Sequence, residues 1–162
     1  MAENLKQVFD ANPVVSMQTT DIFYLIRSPY GINNDMAVTW NTILNTILPF
    51  IPGGYINNVT GTSAILANNQ TYIANNASRV GFLLPATADI GTIIYVVGSG
   101  SGGWQISQNA NQQIIVTASS STTLGVGGSV SSTNAANNLA MMCTTPNLIW
   151  TVISQNGSFT VI

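Results

Sequence analysis

Few residues of this 162-residue sequence have the chemistry needed for acid–base or nucleophilic catalysis. It contains no histidine, a single lysine, Lys6, and a single cysteine, Cys143. Such catalysis needs these groups or carboxylates held side by side, and zinc sites need clusters of Cys and His. We therefore predict a protein that is not an enzyme and that binds no cofactor and no metal. The carboxylates are Glu3, Asp10, Asp21, Asp35 and Asp89.

One pair of carboxylates has a spacing that chemistry could use. Asp21 begins an apolar run and Asp35 follows a turn, so a hairpin could bring the two together in the manner of a glycosidase pair. The same positions suit an ordinary strand end and turn, which is the interpretation we favour. Asn33, Asn34 and Asp35 could ligate calcium, but a single carboxylate makes a weak site.

Residues 98–103 match the pattern G-x-G-x-x-G after an apolar run. A dinucleotide site also needs a following helix and an acidic residue about 20 positions later. Residues 90–162 contain no charged side chain, and 104–108 continue as a strand pattern. We interpret the motif as a flexible hairpin loop.

The stretch after this motif offers amides that could contact a receptor. Sugar recognition uses amide and hydroxyl groups and needs little charge. Strand alternation predicts that Trp104 and Ile106 face a core. The candidate receptor contacts are therefore Gln105, Gln108, Asn109 and Asn111.

Charge is the unusual feature of the composition. Only 5% of residues are charged, against about 25% in ordinary domains, and Asn, Gln, Ser and Thr make up 60 of the 162 residues. Three cations cannot provide a phosphate-binding surface, so nucleic-acid binding is not expected. Copies of such a chain repel each other little, and charges that normally guard sheet edges are missing. We predict that the chain associates with copies of itself.

The sequence lacks the features of export or membrane insertion. It begins without a basic region followed by an apolar one, and its strongest apolar run, 90–97, is far below the roughly 20 residues of a membrane helix. With 46% hydrophobic residues and a mean hydropathy of +0.31, the chain is expected to fold in the cytoplasm where it is made.

The first 54 residues are predicted to form an attachment and oligomerisation region. Residues 2–12 fit a short helix whose apolar face is formed by Leu5, Val8 and Phe9. A strand at 21–27 and a return strand at 36–38 precede a helix with Thr39 as N-cap. Its apolar stripe is expected to pack at a symmetry axis, or simply in a core, and consists of Trp40, Ile43, Leu44, Ile47 and Leu48.

Residues 55–162 are predicted to form a β-rich distal domain. Short runs rich in Val, Ile, Thr and aromatic residues alternate with Gly, Asn and Ser turns, which is typical of an all-β sandwich, barrel or prism. The stretch 125–138 is expected to form loops with short strands. The predicted strands are 63–66, 71–74, 80–84, 92–97, 104–108, 113–118, 122–126, 139–143, 148–154 and 158–162.

Several segments resemble those of tail-fibre and related virion proteins of bacteriophages and prophages. They are 21–27 with Gly31, Asp35 and 38–40, then 84–91, 96–98, 102–106 and 113–114, with further matches near 123–125 and at Leu139, Cys143 and Trp150. The resemblance implies a β-rich, usually trimeric, non-catalytic virion protein that is structural or contacts a host receptor. A capsid decoration or head-fibre protein is the alternative, and a lectin-like module binding a cell-surface glycan is the alternative from another class.

Overall fold

The computed structural model describes residues 22–26, 35–48 and 51–162, with side chains described for 42–48 and 51–162. Backbone proximity divides the chain into two compact units, Met1–Ile47 and Leu48–Ile162. The fold is mostly β, as the sequence predicts. The predicted helix with Leu5, Val8 and Phe9 lies outside the described residues.

The first unit contains a hairpin and a short helix. Strands β1 (Ile22–Ile26) and β2 (Asp35–Thr39) pair antiparallel, with Ile22 opposite Thr39 and Ile26 opposite Asp35. Helix α1 (Trp40–Ile47) follows β2 directly, as the pattern around Thr39 predicts.

The second unit contains two sheets. The strands are β3 (Tyr55–Val59), β4 (Ser63–Ile65), β5 (Gln70–Ala74), β6 (Val80–Leu83), β7 (Ile93–Gly98), β8 (Trp104–Ser107), β9 (Gln113–Thr117), β10 (Ser120–Ser121), β11 (Ser129–Ser132), β12 (Asn138–Thr145), β13 (Ile149–Asn156) and β14 (Phe159–Val161). Seven form one sheet in the order β10-β9-β13-β12-β7-β5-β3, and five form the other in the order β14-β11-β8-β6-β4.

From β3 to β8 the chain alternates between the two sheets. Strands β3, β5 and β7 lie parallel in the seven-stranded sheet, while β4, β6 and β8 lie parallel in the five-stranded sheet. We call two consecutive strands, one in each sheet, a rung. The rungs β3–β4, β5–β6 and β7–β8 stack on one another. The last two rungs are offset by a constant 24 residues, because Ala74 lies opposite Gly98 and Val80 lies opposite Trp104.

Later strands complete both sheets, mostly by antiparallel pairing. Strand β12 pairs with β7 and β13, and β11 pairs with β8 and β14. The exception is β9, which lies parallel to β13.

The core fills the space between the sheets. Tyr72 and Val96 enter it from the seven-stranded sheet, while Phe82, Trp104 and Ile106 enter it from the five-stranded one. The Tyr72 and Phe82 rings meet edge to face, with centroids 5.8 Å apart. Period-two alternation therefore turns alternate residues of both sheets into a shared interior.

Two local predictions are wrong. Residues 122–126 do not form a strand, since the chain turns there through Gly125 and Gly127, whose φ angles are +87° and +110°. The residues 98–103 do not form a hairpin, because they connect β7 and β8, which belong to different sheets.

Candidate functional site

The glycine motif is the corner that joins the two strands of the third rung, β7 and β8, and it stacks on the corner of the second rung. The turn 99–103 lies on the turn 75–79, and the amides of Ser99 and Gly100 donate to the carbonyl of Ala74 at 3.0 and 2.8 Å. A β-carbon on Gly102 would lie 2.1 Å from the backbone of Ser78. The glycines are therefore needed for close approach of two backbone segments, and β8 follows directly where a nucleotide site needs a helix.

The amides after this corner are used mainly inside the fold. Gln108 is buried, and its Nε2 donates to the carbonyls of Thr123 and Gly125 at 2.7 and 2.9 Å. Its Oε1 accepts the hydroxyl of Thr122 at 2.6 Å. Because Gln108 has an internal role, we do not carry it forward as a receptor contact.

Gln112 forms the centre of the same buried network. Its Nε2 donates to the Pro85 carbonyl at 2.8 Å, and its Oε1 accepts the backbone amide of Asn109 at 2.9 Å. The Asn109 side chain donates to the Leu84 carbonyl at 2.8 Å. Sequence reasoning missed Gln112. The available signal was its position directly after the turn asparagines Asn109 and Asn111 and directly before strand β9. The network connects the loop 108–112 to the loops around Pro85 and around 122–125 through hydrogen bonds between uncharged groups.

The remaining candidate contacts reach the surface. Gln105 is partly buried and donates to the Ser129 hydroxyl at 3.0 Å. Asn111 is exposed, with a φ of +64° in a turn. Receptor binding by Gln105, Asn109 and Asn111 stays a prediction.

The candidate carboxylate pair falls partly outside the described residues. The backbone of Asp35 lies opposite Ile26 in the hairpin, whereas Asp21 lies outside the described residues, so the pair stays untested. Among the described residues, no three His, Cys, Asp or Glu side chains group closely enough to hold a metal ion.

Two titratable groups in the core have altered proton affinities. Burial raises the pKa of the Cys143 thiol, although hydrogen bonds from nearby backbone amides oppose the change. Burial likewise raises the pKa of the Tyr72 hydroxyl, opposed by the Ala67 amide, which donates to it at 2.8 Å. A raised thiol pKa leaves Cys143 protonated at neutral pH and unsuited to nucleophilic attack.

The helix stripe is partly packed and partly open. Ile43, Leu44 and Leu48 are half-buried, whereas Ile47 is 41% exposed. The opposite side carries Asn45 and Thr46, both exposed. Trp40 begins α1, and its side chain lies outside the described part. The amphipathic pattern is present, and its role in assembly stays a prediction.

One surface of the second unit mixes apolar and polar side chains. We call it the outer face: the side of the seven-stranded sheet directed away from the five-stranded sheet. Alternation and register place together on it Ile56, Asn58, Thr71, Ile73, Ile93, Tyr95, Val97, Ile115, Asn138, Ala140, Met142, Thr151, Ile153 and Ser154. Ile56 is 69% exposed, and most of the others are half-buried.

A glycine turn covers one part of the outer face. The amide of Gly53 donates to the Asn69 carbonyl at 3.0 Å, and its φ is +75°. A β-carbon there would lie 3.5 Å from the Tyr95 ring and 3.3 Å from the Thr71 hydroxyl. This turn shelters Tyr95 and Thr71.

The outward side of the five-stranded sheet is mixed as well. The outward positions of β8 are Gln105 and Ser107, and those of β11 are Ser129 and Ser131, both buried. Leu83 on β6 lies opposite Ser107, and Ile65 on β4 lies opposite Leu83. The two sheets therefore share one core and both present polar and apolar side chains outward.

No protein-family model and no curated protein matches this chain. Within the described residues, the structure contains no helix with the length and hydropathy needed to cross a membrane.

Proposed function

We propose that this chain is a virion structural protein of a bacteriophage or prophage, a tail-fibre or spike component that assembles as a homotrimer and has no catalytic activity. The observation that carries the proposal is the near absence of charge on a stacked, sheet-rich unit. Between residues 48 and 162 the only charged side chains are Arg79 and Asp89.

This arrangement suits a protein that works as part of an assembly. Ordinary monomers rely on surface charge to stay apart and to protect their sheet edges. Here the edge strands β3 and β4 carry Ile56 and Ile65, which are 69% and 71% exposed. Contact with copies of the chain and with other virion proteins would cover such groups. The internal amide network needs no ionised group, which suits a particle exposed to varied pH and salt.

The N-terminal region is the proposed attachment point to the particle. Its apolar residues Leu5, Val8 and Phe9 have no partner within the predicted helix itself. A short amphipathic segment of this kind needs a docking surface to be stable. Deletion of residues 2–12 should leave the β-rich unit folded and remove the protein from purified particles.

An intact-particle proteome tests the proposal directly. Detection of the chain in purified particles at a fixed ratio to other virion proteins is the expected result. Electron microscopy with an antibody then separates a tail-fibre or spike from the capsid decoration and head-fibre alternatives. Absence from particles, together with binding on a glycan array, would replace the proposal by the lectin-like alternative, for which the turn with the exposed Asn111 is the natural contact.

A further inference from the structure

We propose that Asn156 is a site of spontaneous covalent modification, at which attack by the backbone nitrogen of Gly157 converts the side-chain amide into a carboxylate. The inference is independent of the proposed function. The two residues form the only Asn-Gly pair in the sequence, and they lie where β13 ends and the chain crosses to β14 in the other sheet. Glycine makes the nitrogen that follows an asparagine most accessible, because it has no β-carbon to block the approach.

Both reacting groups are exposed and available. Asn156 and Gly157 are exposed to solvent, and no hydrogen bond within the described residues uses the Asn156 side chain or the Gly157 amide. Asn134 is also exposed, but its Oδ1 accepts the backbone amide of Ala136 at 3.0 Å. That bond must break before the Asn134 side chain can turn toward the next backbone nitrogen. Asn156 therefore differs from Asn134 in its neighbour and in its freedom to move.

The fold requires the glycine that makes this asparagine reactive. Gly157 has a φ of +100°, which residues with a β-carbon rarely adopt, and a β-carbon there would overlap the Asn137 side chain. Asn137 is buried, and its Nδ2 donates to the Ser158 carbonyl at 2.6 Å. The Asn137 carbonyl accepts the Trp104 Nε1 at 2.8 Å. The packing of this corner therefore keeps a glycine directly after Asn156.

The reaction needs only water, and its atoms balance. The Gly157 amide loses its proton to a base in solvent, and its nitrogen forms a bond to the Asn156 Cγ. The bond between Cγ and Nδ2 then breaks, and Nδ2 leaves as ammonia after taking a proton from water. Water opens the five-membered imide at either carbonyl carbon, which gives aspartate or isoaspartate. Nothing is oxidised or reduced, and the new carboxyl group is ionised at neutral pH.

The position of Asn156 at the end of a strand permits this approach. An extended backbone holds the side chain away from the next nitrogen, so the peptide group after Asn156 must first rotate. Asn156 is the last residue of β13, and its ladder partner is Asn138. Residues 153–157 are all exposed. Chain ends of this kind open at low free energy while the rest stays folded, so the folded protein can reach the reactive geometry.

The modification places a charge in a region that has none. Residues 90–162 contain no charged side chain, and each reaction adds one negative charge to a chain whose formal net charge is −2. The aspartate product keeps the backbone unchanged. The isoaspartate product lengthens the backbone by one carbon atom directly before Gly157, which displaces the corner from the Asn137 side chain that packs on it.

Two matched substitutions in the 162-residue chain test the site. Asn156→Gln keeps an exposed amide but would need a less favourable six-membered ring for the same attack. Asn134→Gln makes the same change at the exposed control asparagine. The wild type and both variants are incubated at neutral and mildly alkaline pH in water enriched in a heavy oxygen isotope, and circular dichroism checks that each stays folded.

Mass spectrometry then locates the reaction. Chymotrypsin cleaves after aromatic residues, so cleavage after Trp150 and Phe159 releases Asn156 in the peptide 151–159. Heavy oxygen in the new carboxyl group marks reaction during the incubation, because digestion is carried out in ordinary water. Anion-exchange chromatography of the intact protein follows the added charge.

We expect the wild type and Asn134→Gln to gain a negative charge and a heavy oxygen at Asn156, several-fold faster than Asn134 reacts in the wild type. The rate should rise with pH, because the attacking nitrogen must lose a proton, and Asn156→Gln should lack this reaction. Equal rates at Asn156 and Asn134 would overturn the inference. So would reaction at Asn156 only in denaturant, because the folded corner would then keep the two groups apart.

These results separate the modification from the proposed function. Reaction at Asn156 in a protein missing from particles would retain the modification site and remove the virion role. An unreactive Asn156 in a protein present in particles would do the reverse.

Discussion

Trp104 shows how a single residue links the sheets and loops. It is fully buried, its Nε1 donates to the Asn137 carbonyl at 2.8 Å, and its backbone amide donates to the Ser132 hydroxyl at 2.9 Å. The Phe159 ring packs on it with centroids 5.4 Å apart. The alternation prediction that Trp104 faces the core is confirmed.

Trp104→Ala should lower the free energy of unfolding by about 3–5 kcal/mol, because it removes a large buried side chain and leaves a cavity. Chemical denaturation of the variant measures the loss. Trp150 provides a comparison, since it is equally buried but its Nε1 has no hydrogen-bond partner among the described residues. Trp104→Phe should therefore be more destabilising than Trp150→Phe by about 1 kcal/mol. An unchanged stability for Trp104→Ala would assign this residue to the surface.

The titration of buried residues predicts the pH profile of stability. The pKa values of Cys143 and Tyr72 are raised above their ordinary values of 9.0 and 10.0. A raised folded-state pKa contributes stability that is complete below the unfolded pKa and is lost as pH rises through the folded one. With no histidine present, the melting temperature should be nearly flat from about pH 5 to 9 and should fall above that.

Cys143→Ala should reduce the fall that begins near pH 9, leaving the part due to Tyr72 at higher pH. Thermal melts at several pH values measure both proteins. A steep change between pH 5 and 9 would show that another group titrates in the fold and would reopen the question of catalysis.

At the scale of elements, the corner that joins β7 and β8 leaves the least space for side chains, because it stacks on the corner that joins β5 and β6. Gly100 and Gly102 lie against the backbone of residues 76–79, where a β-carbon would come within 2.2 Å of an atom. Gly61 belongs to the corresponding turn of the first rung, and a β-carbon there meets nothing within 4 Å. The same residue type therefore has a strict role in one turn and a permissive one in the other.

Gly102→Ala should lower stability by about 1–3 kcal/mol, because the backbone of Ser78 must move. Gly61→Ala is the control and should be neutral, or stabilising by less than about 1 kcal/mol through the unfolded chain. Denaturant unfolding compares the two. Equal effects would mean that the rungs are not in close contact at this corner.

The α1 stripe gives a second test at this scale. Ile43→Asp should weaken assembly, since a carboxylate on a packed apolar stripe is costly to bury. Asn45→Asp, on the exposed side of the same helix, adds the same charge and should leave assembly unchanged. Light scattering measures the mass of both variants. Identical masses would show that the α1 stripe does not contribute to assembly.

Strand positions were predictable from the sequence, and their pairing was not. Alternation in 104–107 and 113–117 gave strands near the observed bounds, because each has one face in the core. Parallel stacking of β5 on β7 depends on contacts between segments 24 residues apart, for which the local pattern holds no information. Strand β3 was missed, since its asparagines are poor strand formers and its pairing with β5 overrides that preference.

The candidate site was predictable only in part for the same reason. Gln108 and Asn109 were singled out as amides in a turn, but loops distant in sequence convert them into a buried network. The outer face could not be found from any one strand, because an alternating strand looks alike whether its second face meets water or another protein. Only the register of six strands shows that Ile73, Val97 and Met142 share one surface.

At the scale of the whole molecule, low charge is the feature that predicts assembly. A unit with one cation and one anion between residues 48 and 162 has little electrostatic protection against association. The central claim is therefore that the protein functions as an assembly of identical chains.

The mass of the 162-residue chain in solution, measured by light scattering, tests this claim most directly. The account predicts a stable species of three times the single-chain mass of 17.1 kDa. A well-behaved monomer at all concentrations would contradict it.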